Sequence, residues 1–240
     1  MFLKKRALLI LFLLISVLST SQTQNASKTF LYEGRVEKLQ NDQVILIGTA
    51  ASVSFNFTGK ECSISLQSVD SYEHHNYVQL VLDGKYIGKI KIEKGAVQSF
   101  PIKITSDKKE HHLEIYKNTE AQSGNILFAG TTAKLTSISF KKRKKIEFIG
   151  DSITCGAASD PADVPCDKGE YMDHHNGYYA YGPRIAREIG VDYLMSCVSG
   201  IGMYRNWNDE NKDEAIMPDV YQNLYLTKDA SKPKYDFAFQ

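Results

Sequence analysis

Two periodicities divide this chain. Between residues 29 and 140, short runs place apolar side chains at every second position or nearly so: Val44-Ile45-Leu46-Ile47, Val53-Ser54-Phe55-Asn56-Phe57, Cys62-Ser63-Ile64-Ser65-Leu66, Tyr77 to Leu82, Tyr86 to Ile92 and His112-Leu113-Glu114-Ile115-Tyr116. A period of two buries one face of a strand and wets the other. Asp83-Gly84 falls between two such runs and signals a tight hairpin. Many short strands, with no helical period between them, predict a β-sandwich of jelly-roll type over residues 25–140.

After Lys141-Lys142-Arg143-Lys144-Lys145 the pattern changes. Ile146-Glu147-Phe148-Ile149 reads as a short apolar strand ending at Gly150. Tyr178 to Ile189 reads as a helix, with Ile185, Ala186 and Ile189 on one side and Gly190 as its C-cap. Val191 to Met195 reads as a second strand, running out to Ser199-Gly200. Strand, helix, strand predicts the start of a parallel α/β sheet over residues 145–240. The connection from Thr154 to Asn176 leaves the carboxyl end of the first strand, where open α/β sheets place their ligands.

The N-terminus carries a targeting pattern. Lys4, Lys5 and Arg6 precede an apolar run from Ala7 to Val17, followed by small and polar residues. That order predicts a secretory signal peptide at residues 1–22, too short for a membrane span, and a secreted or periplasmic protein without stable membrane insertion. The formal net charge of +1 gives no bulk reason to expect nucleic acid as partner. The basic run at 141–145 reads as a solvated linker.

Export permits disulfides, and Cys155 with Cys166 or with Cys197 are the candidates among Cys62, Cys155, Cys166 and Cys197. No CxxC or zinc-like spacing occurs, so no metal and no cofactor is expected. In His74-His75 and His111-His112, adjacent strand residues point to opposite faces and do not chelate one ion readily. His174-His175 reads as an exposed loop pair, with Asp173 the local carboxylate that could orient a ring.

The chemistry concentrates at Gly150-Asp151-Ser152. A serine hydroxyl is a weak nucleophile until it is held by a base and aimed at a carbonyl. A turn straight off a parallel strand supplies the aim and directs backbone N–H groups at the oxyanion formed on attack. Gly150 allows the tight exit, and Asp151 can bond nearby backbone to hold the turn.

Four blocks extend the motif: Gly150-Asp151-Ser152-Ile153-Thr154-Cys155-Gly156, Asn176-Gly177-Tyr178-Tyr179-Ala180-Tyr181-Gly182, Ser199-Gly200-Ile201-Gly202-Met203 and Met217-Pro218-Asp219-Val220-Tyr221. With them the chain resembles the SGNH (GDSL-type) hydrolases, and within these carbohydrate esterase family two, the acetyl-xylan esterases. The resemblance implies a β + α/β architecture: the jelly-roll sandwich followed by an SGNH (flavodoxin-like α/β/α) domain, here incomplete. It implies Ser152 as nucleophile, the N–H groups of Ser152 and Gly200 as oxyanion donors, and an acetylated polysaccharide or oligosaccharide (xylan or glucomannan) as substrate. The family draws a third donor from a Gly-x-Asn-Asp block and its base from a late His, and neither block occurs in residues 1–240. Asp236-Phe237-Ala238-Phe239-Gln240 looks like the lead into a third strand. The chain therefore reads as C-terminally truncated.

Tyr178, Tyr179 and Tyr181 read as packing, and Tyr204 and Trp207 as candidate sugar contacts. Two other readings compete. One is a non-catalytic carbohydrate-binding protein using the sandwich, against which the aromatics Tyr72, Tyr77 and Tyr86 are only scattered. The other is a GDSL-type lipase or thioesterase, against which no long apolar lid segment occurs.

Overall fold

The structure is a computed structural model that describes residues 28–69, 75–139, 143–165 and 167–237. Residues 1–22, expected to be a signal peptide, and Tyr72, His74, Lys141, Lys142, Cys166 and Ala238-Phe239-Gln240 lie outside the described residues.

Among the described residues, eleven short strands precede residue 140 and form two antiparallel sheets. They are β1 (Leu31–Glu33), β2 (Val36–Lys38), β3 (Val44–Leu46), β4 (Ser52–Thr58), β5 (Ser63–Ser68), β6 (Asn76–Leu82), β7 (Lys85–Ile92), β8 (Gln98–Pro101), β9 (Glu110–Lys117), β10 (Ile126–Thr131) and β11 (Lys134–Thr136). One sheet runs β1-β4-β9-β6-β7, with β11 sharing β4; the other runs β2-β3-β10-β5-β8. The alternation in Ser52–Thr58 and Ser63–Ser68 appears directly as alternating burial. Phe55, Phe57, Ile64, Leu66, Val78, Leu113, Ile115, Ile126 and Phe128 from both sheets meet in one core with no exposed surface. The hairpin at Asp83-Gly84 has both residues at positive φ, 54° and 76°, as a type I′ turn requires. The periodicity does not reveal β1, β2, β8, β10 or β11, which are three to six residues long and, in β10, interrupted by a bulge beside Gly130.

β6 departs from simple alternation because both its faces are covered. Val78 and Leu80 enter the sandwich core, while Val81 packs with Cys155, Ala186, Met195 and Cys197 of the C-terminal half. The buried Gln79 accepts a hydrogen bond from Asn176.

Beyond residue 140, β12 (Lys145–Gly150) and β13 (Asp192–Cys197) pair in parallel, in register from Lys145↔Asp192 to Gly150↔Cys197. Three short helices accompany them: α1 (Ser152–Cys155), α2 (Tyr181–Ile189) and α3 (Met217–Val220). Helix α2 begins later than its apolar period suggests. A helix from Tyr178 would need a Pro183 N–H to bond the Tyr179 carbonyl, which proline lacks. Instead Gly177–Tyr179 forms one 3-10 turn capped by the Asn176 side chain. Of the proposed apolar side, Ala186 is buried, whereas Ile185 and Ile189 are exposed. Gly190 caps α2 at φ 70° as expected. Asp236 and Phe237 are not in a strand; Phe237 packs on the rings of Tyr221 and Tyr235.

The two halves share their interior. Ile47 and Ala121 pack with Val198, Met217, Val220 and Leu226, and Ala50 and Tyr116 pack with Cys155, Tyr193 and Met195. Arg35, fully buried in the turn between β1 and β2, donates to the carbonyls of Asn223 and Tyr221 (both 2.9 Å) and to Ser196 Oγ (2.8 Å). Its guanidinium lies 4.5 Å from the Tyr235 ring centroid. Among the described residues no helix is long and apolar enough to cross a membrane.

Candidate active site

The site is assembled where β12 and β13 end side by side. Val198 N–H donates to the Gly150 carbonyl, and Cys155 is disulfide-bonded to Cys197, which selects one of the two pairings left open by the sequence. Ser152 opens α1 two residues past β12, and Gly200 lies three residues past β13, so both stand at the carboxyl end of the parallel pair.

Local packing explains the motif residue by residue. A Cβ on Gly150 would lie 2.2 Å from Thr154 Oγ1, so the turn needs glycine there and the threonine four residues later folds back over it. Thr154 in turn hydrogen-bonds the Tyr181 hydroxyl at 3.0 Å. Asp151 is the N-cap, its Oδ1 accepting Ile153 N–H at 3.1 Å. Gly156 closes α1 at φ 89°, where a Cβ would meet the Asn176 carbonyl at 2.7 Å. Asn176 N–H donates to the Gly156 carbonyl, which shuts the long excursion from 157 to 176 into a closed loop. The Asn176 amide also donates to Gln79 Oε1 (2.9 Å) and Asp160 Oδ2 (2.7 Å). A Cβ on Gly177 would lie 2.6 Å from Ala50 N, so the Asn-Gly block is the contact point with the sandwich.

Residues 198–201 form a β-turn. Ile201 N–H donates to the Val198 carbonyl, with Gly200 at φ 75° in its third position, a type II turn. The Gly200 carbonyl accepts Trp207 N–H at 2.8 Å. Trp207 is therefore tied to the turn, yet 82% exposed; Tyr204 is 73% exposed with the Lys212 ammonium over one face of its ring. Two residues the sequence did not single out flank the same place. Ile153, beside Ser152, is 72% exposed, and the Tyr171 hydroxyl hydrogen-bonds Ser199 Oγ at 2.9 Å. Period and composition give no signal for either. Tyr178 does pack, on Tyr116 and the Arg187 guanidinium, and Tyr179 packs on Tyr86.

Four of the five described histidines hydrogen-bond to groups other than Ser152, and among the described residues neither ring nitrogen of His175 has a hydrogen-bond partner. His75 Nε2 meets Asp173 Oδ1 at 2.5 Å, His111 meets Asp83 and His112 meets Asn56. Asp173 thus orients His75 of the sandwich, not His174 or His175. Although burial opposes ionisation, the Glu170 N–H, His75 and Tyr77 hold the Asp173 carboxyl down at about 2. His174 meets the Val164 carbonyl, and His175 is not exposed: it is fully buried, edge-on to Tyr171. Burial, then the positive charges of Lys117 and His174, push its pKa down to about 4. Ser152 Oγ has no hydrogen-bond partner among the described residues. No group of three or more His, Cys, Asp or Glu among them is arranged to hold a metal ion.

Known proteins resemble most of the chain. Residues 32–138 match the family Carbohydrate esterase 2 N-terminal. The chain is 30% identical over 185 residues to an acetylxylan esterase / glucomannan deacetylase of Cellvibrio japonicus, a match covering 76% of this chain and 50% of that protein. It is 29% identical over 182 residues to cellulase/esterase CelE of Acetivibrio thermocellus, covering 74% and 21%. The chain thus spans about half the length of the first curated relative and about a fifth of the second. A solved family two carbohydrate esterase from Clostridium thermocellum, in complex with cellohexaose, superposes with a TM-score of 0.74 at 25% identity, covering 88% of this chain and 62% of that one. Residues 32–138 thus resemble the N-terminal domain of carbohydrate esterase family two, and the similarity to carbohydrate esterases extends past that domain.

Proposed function

We propose that the chain acts as a secreted carbohydrate O-acetyl-esterase with Ser152 as nucleophile. The observation that carries this reading is the joint placement of Ser152 and Gly200 at one end of the β12–β13 pair, stapled by Cys155–Cys197. Ser152 Oγ attacks the acetyl carbonyl carbon, and the negative charge moves onto the carbonyl oxygen. The N–H groups of Ser152 and Gly200 stabilise that oxyanion. Collapse expels the sugar hydroxyl and leaves an acetyl group on Ser152, which water releases as acetate. The serine proton passes to a general base and from it to the departing sugar oxygen.

The substrate class follows from the relatives: acetylated xylan or glucomannan fits an acetylxylan esterase / glucomannan deacetylase and a neighbour that holds cellohexaose. Trp207, tied to the Gly200 carbonyl, and Tyr204 offer exposed rings for a pyranose. The fold assignment belongs to the same proposal, a jelly-roll sandwich leading into an SGNH-type α/β/α hydrolase domain over 145–240.

The test compares acetate release from 4-nitrophenyl acetate and acetylated glucomannan by the wild-type chain and Ser152→Ala. Ser152→Ala is expected to lose at least about 10³-fold in rate at an unchanged unfolding temperature. Equal rates would exclude the nucleophile. A second reading, glycan binding at the same site without turnover, draws on the lack of a hydrogen-bond partner for Ser152 Oγ among the described residues. Retardation in glucomannan gels by both proteins, with no acetate released by either, favours it.

A further inference from the structure

The turn that carries Gly200 is held from the sandwich. Glu120 follows β9 and heads the 3-10 turn Ala121–Ser123, with 3% of its surface exposed. Its Oε2 accepts the backbone N–H of Ser199 at 2.5 Å. The Ser199 hydroxyl meets that of Tyr171. The loop bearing Glu120 is fixed by Lys117, whose fully buried ammonium donates to the carbonyls of Thr119 and Glu120, each at 2.7 Å. On the far side of the turn, Trp207 N–H holds the Gly200 carbonyl.

These contacts bracket one peptide plane. Type I and type II turns differ by rotation of the central peptide, here the one joining Ser199 to Gly200. Rotating it exchanges the places of the Gly200 N–H and the Ser199 carbonyl. The first can stabilise an oxyanion and the second repels it. A buried carboxylate is costly to keep unless it is hydrogen-bonded, and bonds to it are stronger than those to a neutral acceptor. Glu120 is thus suited to fixing a peptide that would otherwise have two settings.

We propose that Glu120 is a positioning residue for the esterase reaction, a carboxylate of the sandwich that locks the Ser199–Gly200 peptide with the Gly200 N–H available to the oxyanion. This rests on the Ser152 and Gly200 reading above. It makes the sandwich a contributor to the catalytic geometry as well as a neighbouring domain.

The experiment measures Ser152-dependent acetate release by the full chain and its Glu120→Ala, Glu120→Asp and Glu120→Gln variants, on 4-nitrophenyl acetate and on acetylated glucomannan. Glu120→Ala is expected to lower kcat about 10- to 100-fold with KM unchanged within about twofold, and equally on both substrates, because Glu120 touches neither sugar nor acetyl group. Glu120→Gln retains an oxygen for the Ser199 N–H and is expected to recover most of the loss. Glu120→Asp withdraws the acceptor by one methylene and is expected to lose about tenfold in kcat; it decides the matter if the Ala variant does not fold. Wild-type kcat in folded Ala or Asp variants, or a loss confined to KM, overturns the proposal while leaving Ser152 as nucleophile. Equal rates for wild type and Ser152→Ala overturn the esterase reading and this proposal together.

Discussion

In the sandwich, β4 is hydrogen-bonded along both edges, to β9 on one side and to β1 and β11 on the other, and its Phe55 and Phe57 are sealed within a core drawn from both sheets. In the C-terminal half, β12 and β13 have only each other among the described residues, and Ile149, Ile153, Ile185 and Ile189 are exposed. Two parallel strands do not bury enough apolar surface to stand by themselves. This pair is covered because the outer face of the β6 sheet, with Ala50, Val81 and Tyr116, serves as its second layer. One region carries its own core; the other shares its neighbour's, and its disulfide and the Arg35 side chain tie it down. The turn at Ser199-Gly200, built on such a dependent region, is held from the sandwich by Glu120.

That contrast can be broken or sharpened by measurement. The largest stability effect is expected at the disulfide. Cys155 and Cys197 are 42 residues apart, and replacing both by Ala is expected to cost about 4 kcal/mol. Amide exchange should quicken in β12 and β13 while β4 and β9 stay protected; equal loosening of all four strands would break the distinction. Arg35→Ala comes next. It leaves the Asn223 and Tyr221 carbonyls without their buried donor and is expected to cost about 2–4 kcal/mol. Although Arg35 belongs to the sandwich, the quickened exchange should appear at residues 217–226, and unchanged exchange there would remove its role as a tie.

His175 gives the pH arm of the comparison. Its pKa in the folded chain, about 4, lies below the ordinary 6.5, so the fold favours the neutral ring. Stability is then full above about pH 6.5 and falls as the pH drops towards about 4, by on the order of 2–3 kcal/mol. The His175→Gln variant is expected to flatten the unfolding free energy between pH 7 and pH 4.5. The same slope in wild type and variant would mean that another group titrates. The smallest effect is expected at Ile185→Lys and Ile189→Lys, within about 0.5 kcal/mol each, since both side chains are exposed. A loss of several times that amount would show this face of α2 to be covered in solution.

Much of the site was legible because its signals are local. The sequence between Gly150 and Gly156 encodes a strand exit, an N-cap and a left-handed C-cap within seven residues, and Asp83-Gly84 encodes its hairpin in two. The Asn176-Gly177 block was recognisable as a pattern, but its reason, the approach of Gly177 to Ala50, is a contact across 127 positions of chain. His174-His175 looked like an exposed pair because nothing nearby in the chain reports that the second ring is buried against Tyr171. The apolar period of α2 overstated its burial for a related reason: a periodic face states what could be covered, not whether anything covers it.

By itself, then, the sequence determined the two halves, the strands β3 to β7, β9, β12 and β13, the turn at Gly150-Asp151-Ser152 and the two candidate partners of Cys155, all set by spacings of a few residues that backbone geometry reads directly. Only the tertiary structure decided which cysteine Cys155 joins, that Asp173 serves His75, that β6 is buried on both faces, and that Glu120 reaches Ser199 across 79 positions. Those outcomes depend on which surfaces the folded sandwich presents to the strands beside it, and a one-dimensional period does not carry that information.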